Sequence, residues 1–232
     1  MSVFAMMFFQ DPSILQFQKR LDDAIHNNNL RTLFQVQSIP KDSQMRDVID
    51  EVDSRELEPI FYDYFHALQR GKHLEQYRIL GGYYLINGNE DTLWVNYFEY
   101  WIIDKGKVTY HNSWVTDIII KERTVTELVK AGRCRWKIEN ETFNTLKNQG
   151  YHIEHNYGHG EKHLSMNFFL LNLLAFFMHQ IFELTDDLYQ QLRQKFGSKR
   201  NLWDHMRAST HLIIFPDWVT FLRRLLRPSD FL

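Results

Sequence analysis

The stretch from Arg133 to His163, RCRWKIENETFNTLKNQGYHIEHNYGHGEKH, decides how the rest of the chain is read. Its first half predicts a helix from about Arg135 to Gln149, stopped by Gly150; its second half predicts a polar loop rich in histidine. At about 100° per residue, Arg135, Glu139, Thr142, Phe143 and Leu146 share one stripe of that helix. Trp136, Asn140 and Lys147 flank the stripe, while Lys137, Glu141, Asn144 and Thr145 fall opposite. Phe143 and Leu146 mark the stripe as the apolar face, so Arg135 and Glu139 are expected to be buried with them. Ionised groups are costly there unless paired, metal-bound or facing a cleft. Two readings follow: a functional site, or an i,i+4 ion pair in the less favourable Arg-before-Glu order.

Composition bounds the rest. With 232 residues, 44% hydrophobic and 24% charged, the chain has the make-up of an ordinary globular protein able to bury a sizeable core. A net charge of −2 gives no bulk attraction to nucleic acid, which leaves local basic faces to do any such work. The single cysteine, Cys134, excludes an intramolecular disulfide and fits a reducing cytoplasm. Met1–Phe9 is apolar but lacks the basic leader and cleavage site of a signal peptide. Met166–Phe182, MNFFLLNLLAFFMHQIF, is near the lower length limit for a membrane span and contains Asn167, Asn172, His179 and Gln180, so it reads as a buried core helix and no membrane partner is expected.

Residues 1–80 read as short helices joined by polar turns. One opens at Asp11-Pro12 and runs to about Arg20, Asn27–Asn29 make a break, and Leu30–Val36 is a second helix. Pro40 and Asp42 stop one segment and cap Ser43–Glu51; Asp53 or Ser54 caps a longer helix to about Leu68, ended by Gly71. This pattern matches a helix-turn-helix-like DNA-binding unit and a generic helical bundle equally well. Residues 81–91, GGYYLINGNED, form a junction. Thr92–Ile103 and Lys107–Ile120, separated by Asp104-Lys105-Gly106, read as a β-hairpin, and Thr124–Ala131 as a short helix. Beyond Leu164 the chain reads as helical, with Thr185 capping a segment that ends at Gly197, a further start at Asn201, and a last helix from Pro216-Asp217 to Pro228. Arg193, Lys195, Lys199, Arg200, Arg207, Arg223, Arg224 and Arg227 make this tail basic, either as a phosphate-tracking surface or as a solvated helical face.

The words GRCRWKIENETFNTLKNQGY and EHNYGHG closely resemble the C-terminal signature of bacterial insertion-sequence transposases of the DDE type, enzymes with an RNase H-like core. Their last catalytic acid is a Glu on a helix carrying an Arg-Trp-x-x-Glu pattern with a downstream Lys. LRTLF, SQMRDVIDEVD and LQRGK resemble the N-terminal region of the same group, and LWVNYFEYW and NSWVTDI its final core strands. The resemblance implies that Glu139 is the third catalytic carboxylate and a ligand of Mg or Mn, and that Arg133, Arg135, Asn140 and Lys147 contact DNA. It also marks a departure. The family's first two catalytic aspartates stand in a long segment that is replaced here by the junction around Tyr84–Thr92, and Asp91, Asp104 and Asp117 occupy no matching motif.

The expectation is therefore an α+β, mostly helical chain: an N-terminal helical region (1–80), a junction where core is deleted (81–91), a remnant of the catalytic core (92–165), and C-terminal helices (166–232). Phosphodiester cleavage by three carboxylates needs two metal ions, which one Glu does not hold. The resulting reading is a cytoplasmic, internally shortened transposase with DNA ends as partner, self-association or pairing with an intact transposase, and impaired catalysis. The alternatives are an interfering non-catalytic remnant and a helical interaction module with no DNA role. His152, His155, His159 and His163 admit a zinc site, although imidazoles usually share zinc with Cys or carboxylate, or a loop near DNA. Trp136 admits stacking on a base or a place in the core.

Overall fold

Met1–Phe9 holds no charged side chain, and a helix apolar on every side belongs inside a core. In the computed structural model it forms α1 (Ser2–Phe8), with Val3, Ala5, Met6, Met7 and Phe8 buried. The structure describes residues 1–22, 24–38, 40–74, 95–155 and 157–227, the side chains of 24–28 excepted. In chain order α1 is followed by α2 (Ile14–Leu21), α3 (Ala24–Phe34), α4 (Asp42–Glu51) and α5 (Glu58–Arg70). Next come the hairpin strands β1 (Asn96–Asp104) and β2 (Lys107–Thr116), then α6 (Glu122–Lys137), a π-helical turn at Ile138–Phe143 and α7 (Asn144–Asn148). The remaining helices are α8 (Leu164–Thr185), α9 (Asp187–Phe196), α10 (Lys199–Leu212) and α11 (Trp218–Leu226). The chain is thus α+β and mostly helical, with a small two-stranded antiparallel sheet. It divides into two compact units, Met1–Glu75 with Asn144–Leu232, and Gln76–Phe143.

In the first unit α1 packs against α8 and α3. Phe8, Phe34 and Trp218 meet edge to face, each pair with ring centroids 5.3 to 5.9 Å apart, and the Trp218 indole N–H donates to the Leu33 carbonyl at 2.7 Å. Helix starts follow side-chain chemistry: Ser13, Asp186, Ser198 and Asp217 each accept a backbone N–H three residues on. Three of these correct the expected starts, because Ser13 rather than Asp11-Pro12 opens α2, Asp186 rather than Thr185 caps α9, and Ser198 places the start of α10 before Asn201. Gly71 and Gly197 end α5 and α9 as expected, while Pro228 lies outside the described residues.

Asn27–Asn29 form no break; all three lie within α3. The reason is tertiary. Asn29 is buried, its Nδ2 donates to the Thr210 and Ile213 carbonyls at 2.7 Å, and its Oδ1 accepts the Phe215 N–H at 2.9 Å. A residue that competes with helix formation when alone is held in the helix by three partners from the far end of the chain.

α8 buries polar side chains beside the apolar Leu164, Phe168, Leu171 and Ala175. Its polar Asn167, Asn172 and His179 are fully buried, whereas Met166, Phe169 and Leu184 are exposed. Asn167 Nδ2 donates to the Ile49 and Val52 carbonyls at the end of α4, and Asn172 Nδ2 to the Tyr151 carbonyl. The Tyr151 hydroxyl meets His179 Nδ1 at 2.8 Å, and burial depresses the imidazole to about 3, so it is neutral and able to accept. Among the described residues α8 is the helix long and apolar enough to cross a membrane, yet only one stripe of it is buried, which narrows the expected core helix to a one-sided one.

The second unit is built on the hairpin. Lys105 and Gly106 have φ of 47° and 76°, the left-handed pair that a tight two-residue turn requires. The register runs from Asn96 opposite Thr116 to Asp104 opposite Lys107 and shifts between Ile102 and Ile103, leaving Thr109 as the extra residue of β2. Phe98, Tyr100, Ile102, Tyr110 and Trp114 lie on the more buried face, and Gly132 of α6 sits against the Trp114 indole, where a Cβ would fall 2.6 Å from Cε2. β2 ends at Thr116 rather than Ile120 because the Thr116 hydroxyl oxygen accepts the Ile118 N–H and turns the chain. The expected short helix does not stop at Ala131: α6 runs on to Lys137 and takes in the first residues of the signature.

Replacing Asn29 by Ala leaves a buried N–H and two carbonyls without their partner, and the expected loss is about 2 kcal/mol or more. A urea unfolding curve checks it through a lower midpoint at unchanged slope.

Candidate functional site

The signature does not form one regular helix from Arg135 to Gln149. Its residues fall on the end of α6, the π-helical turn and α7. The wider i→i+5 turn breaks the 3.6-residue phase on which the shared stripe depended. Leu146 is fully buried, but the Arg135 and Glu139 side chains are 63% and 49% exposed, and Phe143 is exposed too. The expected burial of the charged pair is therefore corrected to a surface ion pair in which an Arg135 Nη1 N–H donates to Glu139 Oε1. Trp136, 61% exposed, is not core, and its carbonyl accepts from Asn140 Nδ2 at 3.2 Å. The Arg133 guanidinium lies 5.0 Å over the Tyr110 ring. These four residues and Glu139 belong to the second unit; Lys147 belongs to the first, where its Nζ pairs with Glu154 at 2.6 Å.

Around Glu139 the donor set does not fit a two-metal centre. Among the described residues no three His, Cys, Asp or Glu side chains gather at a metal-sized site. Asp104 closes β1 at the hairpin turn, Asp117 follows β2, and Asp91 lies outside the described residues.

The EHNYGHG word has a different logic, legible only in three dimensions. The Asp50 carboxylate, on α4, accepts four backbone N–H groups in a row: Glu161 at 2.8 Å, Lys162 at 3.0 Å, His163 at 2.9 Å and Leu164 at 2.7 Å. These include the orphan donors at the start of α8, whose own N-cap residue, His163, makes no side-chain cap. The Glu161 N–H foremost, with the other three, holds the Asp50 carboxyl down at about 2. One turn earlier Arg46 Nη1 donates to the Tyr157 carbonyl, and beside it Lys162 Nζ pairs with Glu51.

The glycines of the word allow this approach. Both have positive φ; a Cβ at Gly158 would meet Arg46 Nη1 at 2.6 Å, and one at Gly160 would meet Asp50 Oδ1 at 2.5 Å. Tyr157 stacks on buried Phe168, and His155 meets the Tyr157 ring edge-on. His163 Nδ1 faces Ser54 Oγ at 3.4 Å. A cavity of about 310 Å³ opens beside the loop, lined by Glu154, His155, Gly158, His159, Ser165 and Phe169 among others. Asp50 and Arg46 were not singled out in the sequence; in SQMRDVIDEVD their i,i+4 spacing is ordinary.

Much of the basic tail is engaged internally. Arg193 and Lys199 both reach Glu183, Lys195 Nζ donates to the Leu225 and Leu226 carbonyls at the end of α11, and Arg207 donates to the Phe9 and Gln10 carbonyls. Beside Arg207, buried Asp11 pairs with Arg20, and burial lifts its carboxyl to about 6. No protein-family model, curated protein or solved structure matches the chain.

Asp50→Ala is expected to lower the melting temperature by several degrees. Because the folded carboxyl sits below its ordinary value of 3.8, its stabilising effect is complete above that pH and is lost as pH falls towards 2. The gap between wild type and variant should close over that window, as read by urea midpoints from about pH 6 down to about pH 2.5.

Proposed function

We propose that the chain is an internally shortened insertion-sequence transposase that binds duplex DNA and does not itself cleave or join strands. The observation that supports this reading is the exposure of Arg133, Arg135, Trp136 and Asn140 on consecutive turns of α6 and the π-helical segment. Side chains named by the resemblance stand clear of the packed core, where guanidinium groups can reach phosphates and an indole can stack on a base. α2 to α5 supply the helical DNA-binding unit in this reading, and the reducing cytoplasm suits the exposed thiol of Cys134. Mg or Mn serves the intact relatives; here Glu139 is engaged by Arg135, and no catalytic step is assigned to it. The consequence is competition for element ends, alone or paired with an intact transposase.

Fluorescence anisotropy with duplex DNA across a salt series tests the reading. Binding should weaken steeply with salt, and Arg135→Ala should reduce the log–log salt slope by about one. Glu139→Gln, which frees the Arg135 guanidinium and removes a negative charge, should tighten binding by about two- to fivefold at low salt. A folded sample that binds no DNA at low salt overturns the proposal and leaves a protein-interaction module, the reading favoured by the internally engaged tail.

A further inference from the structure

We propose that the first unit binds a neutral, mostly apolar small molecule carrying a hydrogen-bond donor, in a cavity between α1, α4, α5 and α8. The cavity has a volume of about 470 Å³, within the range of about 300 to 1,000 Å³ typical of small-molecule sites. All of its lining residues belong to the described part of the first unit, and none lies in the signature, so the site is tested apart from DNA binding.

The walls follow from helix periodicity. α8 turns Asn167, Leu171, Leu174 and Met178 towards the cavity, steps of four, three and four residues that make one stripe of a helix. Val48 of α4 and Ile60 and Tyr64 of α5 belong to the other walls. Leu68 is the fully buried residue of α5, so Ile60 and Tyr64 front space that apolar atoms would fill. Among the described lining residues there is no Asp, Glu, Lys, Arg or His, and a charged ligand would lose its water without meeting a counter-charge.

The donor is required by Asn167, whose side chain is fully buried. Its Nδ2 donates to the Ile49 and Val52 carbonyls at 2.7 Å each, which uses both amide hydrogens. Those bonds also fix the amide, because a flip would set its oxygen against two carbonyl oxygens. The Oδ1 atom is buried and accepts no hydrogen bond among the described residues. A buried acceptor without a donor costs free energy, and a ligand O–H or N–H removes that cost. A carboxylate has no proton to give, and an ammonium finds no carboxylate among the described walls. A neutral alcohol, amide or amine with an apolar body satisfies both conditions.

Fluorescence titration of the full chain with N-phenyl-1-naphthylamine, a neutral apolar fluorophore with one N–H, tests the site. Saturable one-to-one binding is expected, with a dissociation constant below about 100 µM. Decanol should displace the fluorophore. Decyl methyl ether, which lacks the donor, should displace it at least about threefold less well, and decanoate at neutral pH at least about tenfold less well. Val48→Trp, at a half-exposed position of the lining, and Leu174→Trp, on α8, put bulk into the cavity. Each should weaken binding at least about tenfold with an unchanged circular dichroism spectrum, and Val48→Trp decides the matter where Leu174→Trp does not fold. Met166→Ser, on the exposed side of α8 and outside the lining, should leave binding unchanged. Absence of saturable binding overturns the proposal. So does binding that Val48→Trp leaves intact, which would place the fluorophore elsewhere. Equal displacement by the alcohol and the ether overturns the role of Asn167.

Discussion

A single carboxylate, that of Asp50, accepts the N–H groups of four successive residues, Glu161 to Leu164. A 22-residue apolar helix has to begin somewhere, and its first amides are unsatisfied by its own turns. Here the acceptor comes from α4, more than a hundred residues earlier, and the anion also suits the positive end of the helix dipole. The same ridge of α4 holds the Tyr157 carbonyl through Arg46, and the end of α4 is held in turn by Asn167 from α8. Helix start, loop path and helix packing are therefore one arrangement, and Gly158 and Gly160 are its steric condition.

That arrangement changes the meaning of the histidine-rich word. Its spacing invites a ligand reading, yet its backbone explains most of it: two left-handed glycines, a tyrosine stacked on the core, and amides aimed at a carboxylate. The imidazoles stand around this frame rather than converging. The first half of the signature presents a surface ion pair and an exposed indole next to the π-helical turn.

The two units have different physical standing. The first closes a continuous apolar core around α1 and α8, with polar groups such as Asn29, Asn172 and His179 paired across it. The described residues of the second form two strands, α6 and the π-helical turn, with Tyr97, Trp101, Ile103, Val108 and Val115 exposed on one side of the hairpin. Among the described residues neither strand pairs with a third.

By itself the sequence determined the elements whose causes are local. The Asp104-Lys105-Gly106 turn, the ends of α5 and α9 at glycine, the start of α11 at Asp217 and the helical character of both chain ends were legible from residue chemistry within a few positions. Only the tertiary structure decided what depends on distant partners. Asn29 is helical because Thr210, Ile213 and Phe215 satisfy it, and Asp50 matters because a loop over a hundred residues away brings four amides to it. Arg135 and Glu139 are exposed because a π-helical turn rotates the stripe that a regular helix would have buried. Periodicity is a property of neighbours, whereas hydrogen-bond satisfaction and helical phase are settled by what the rest of the chain places against them.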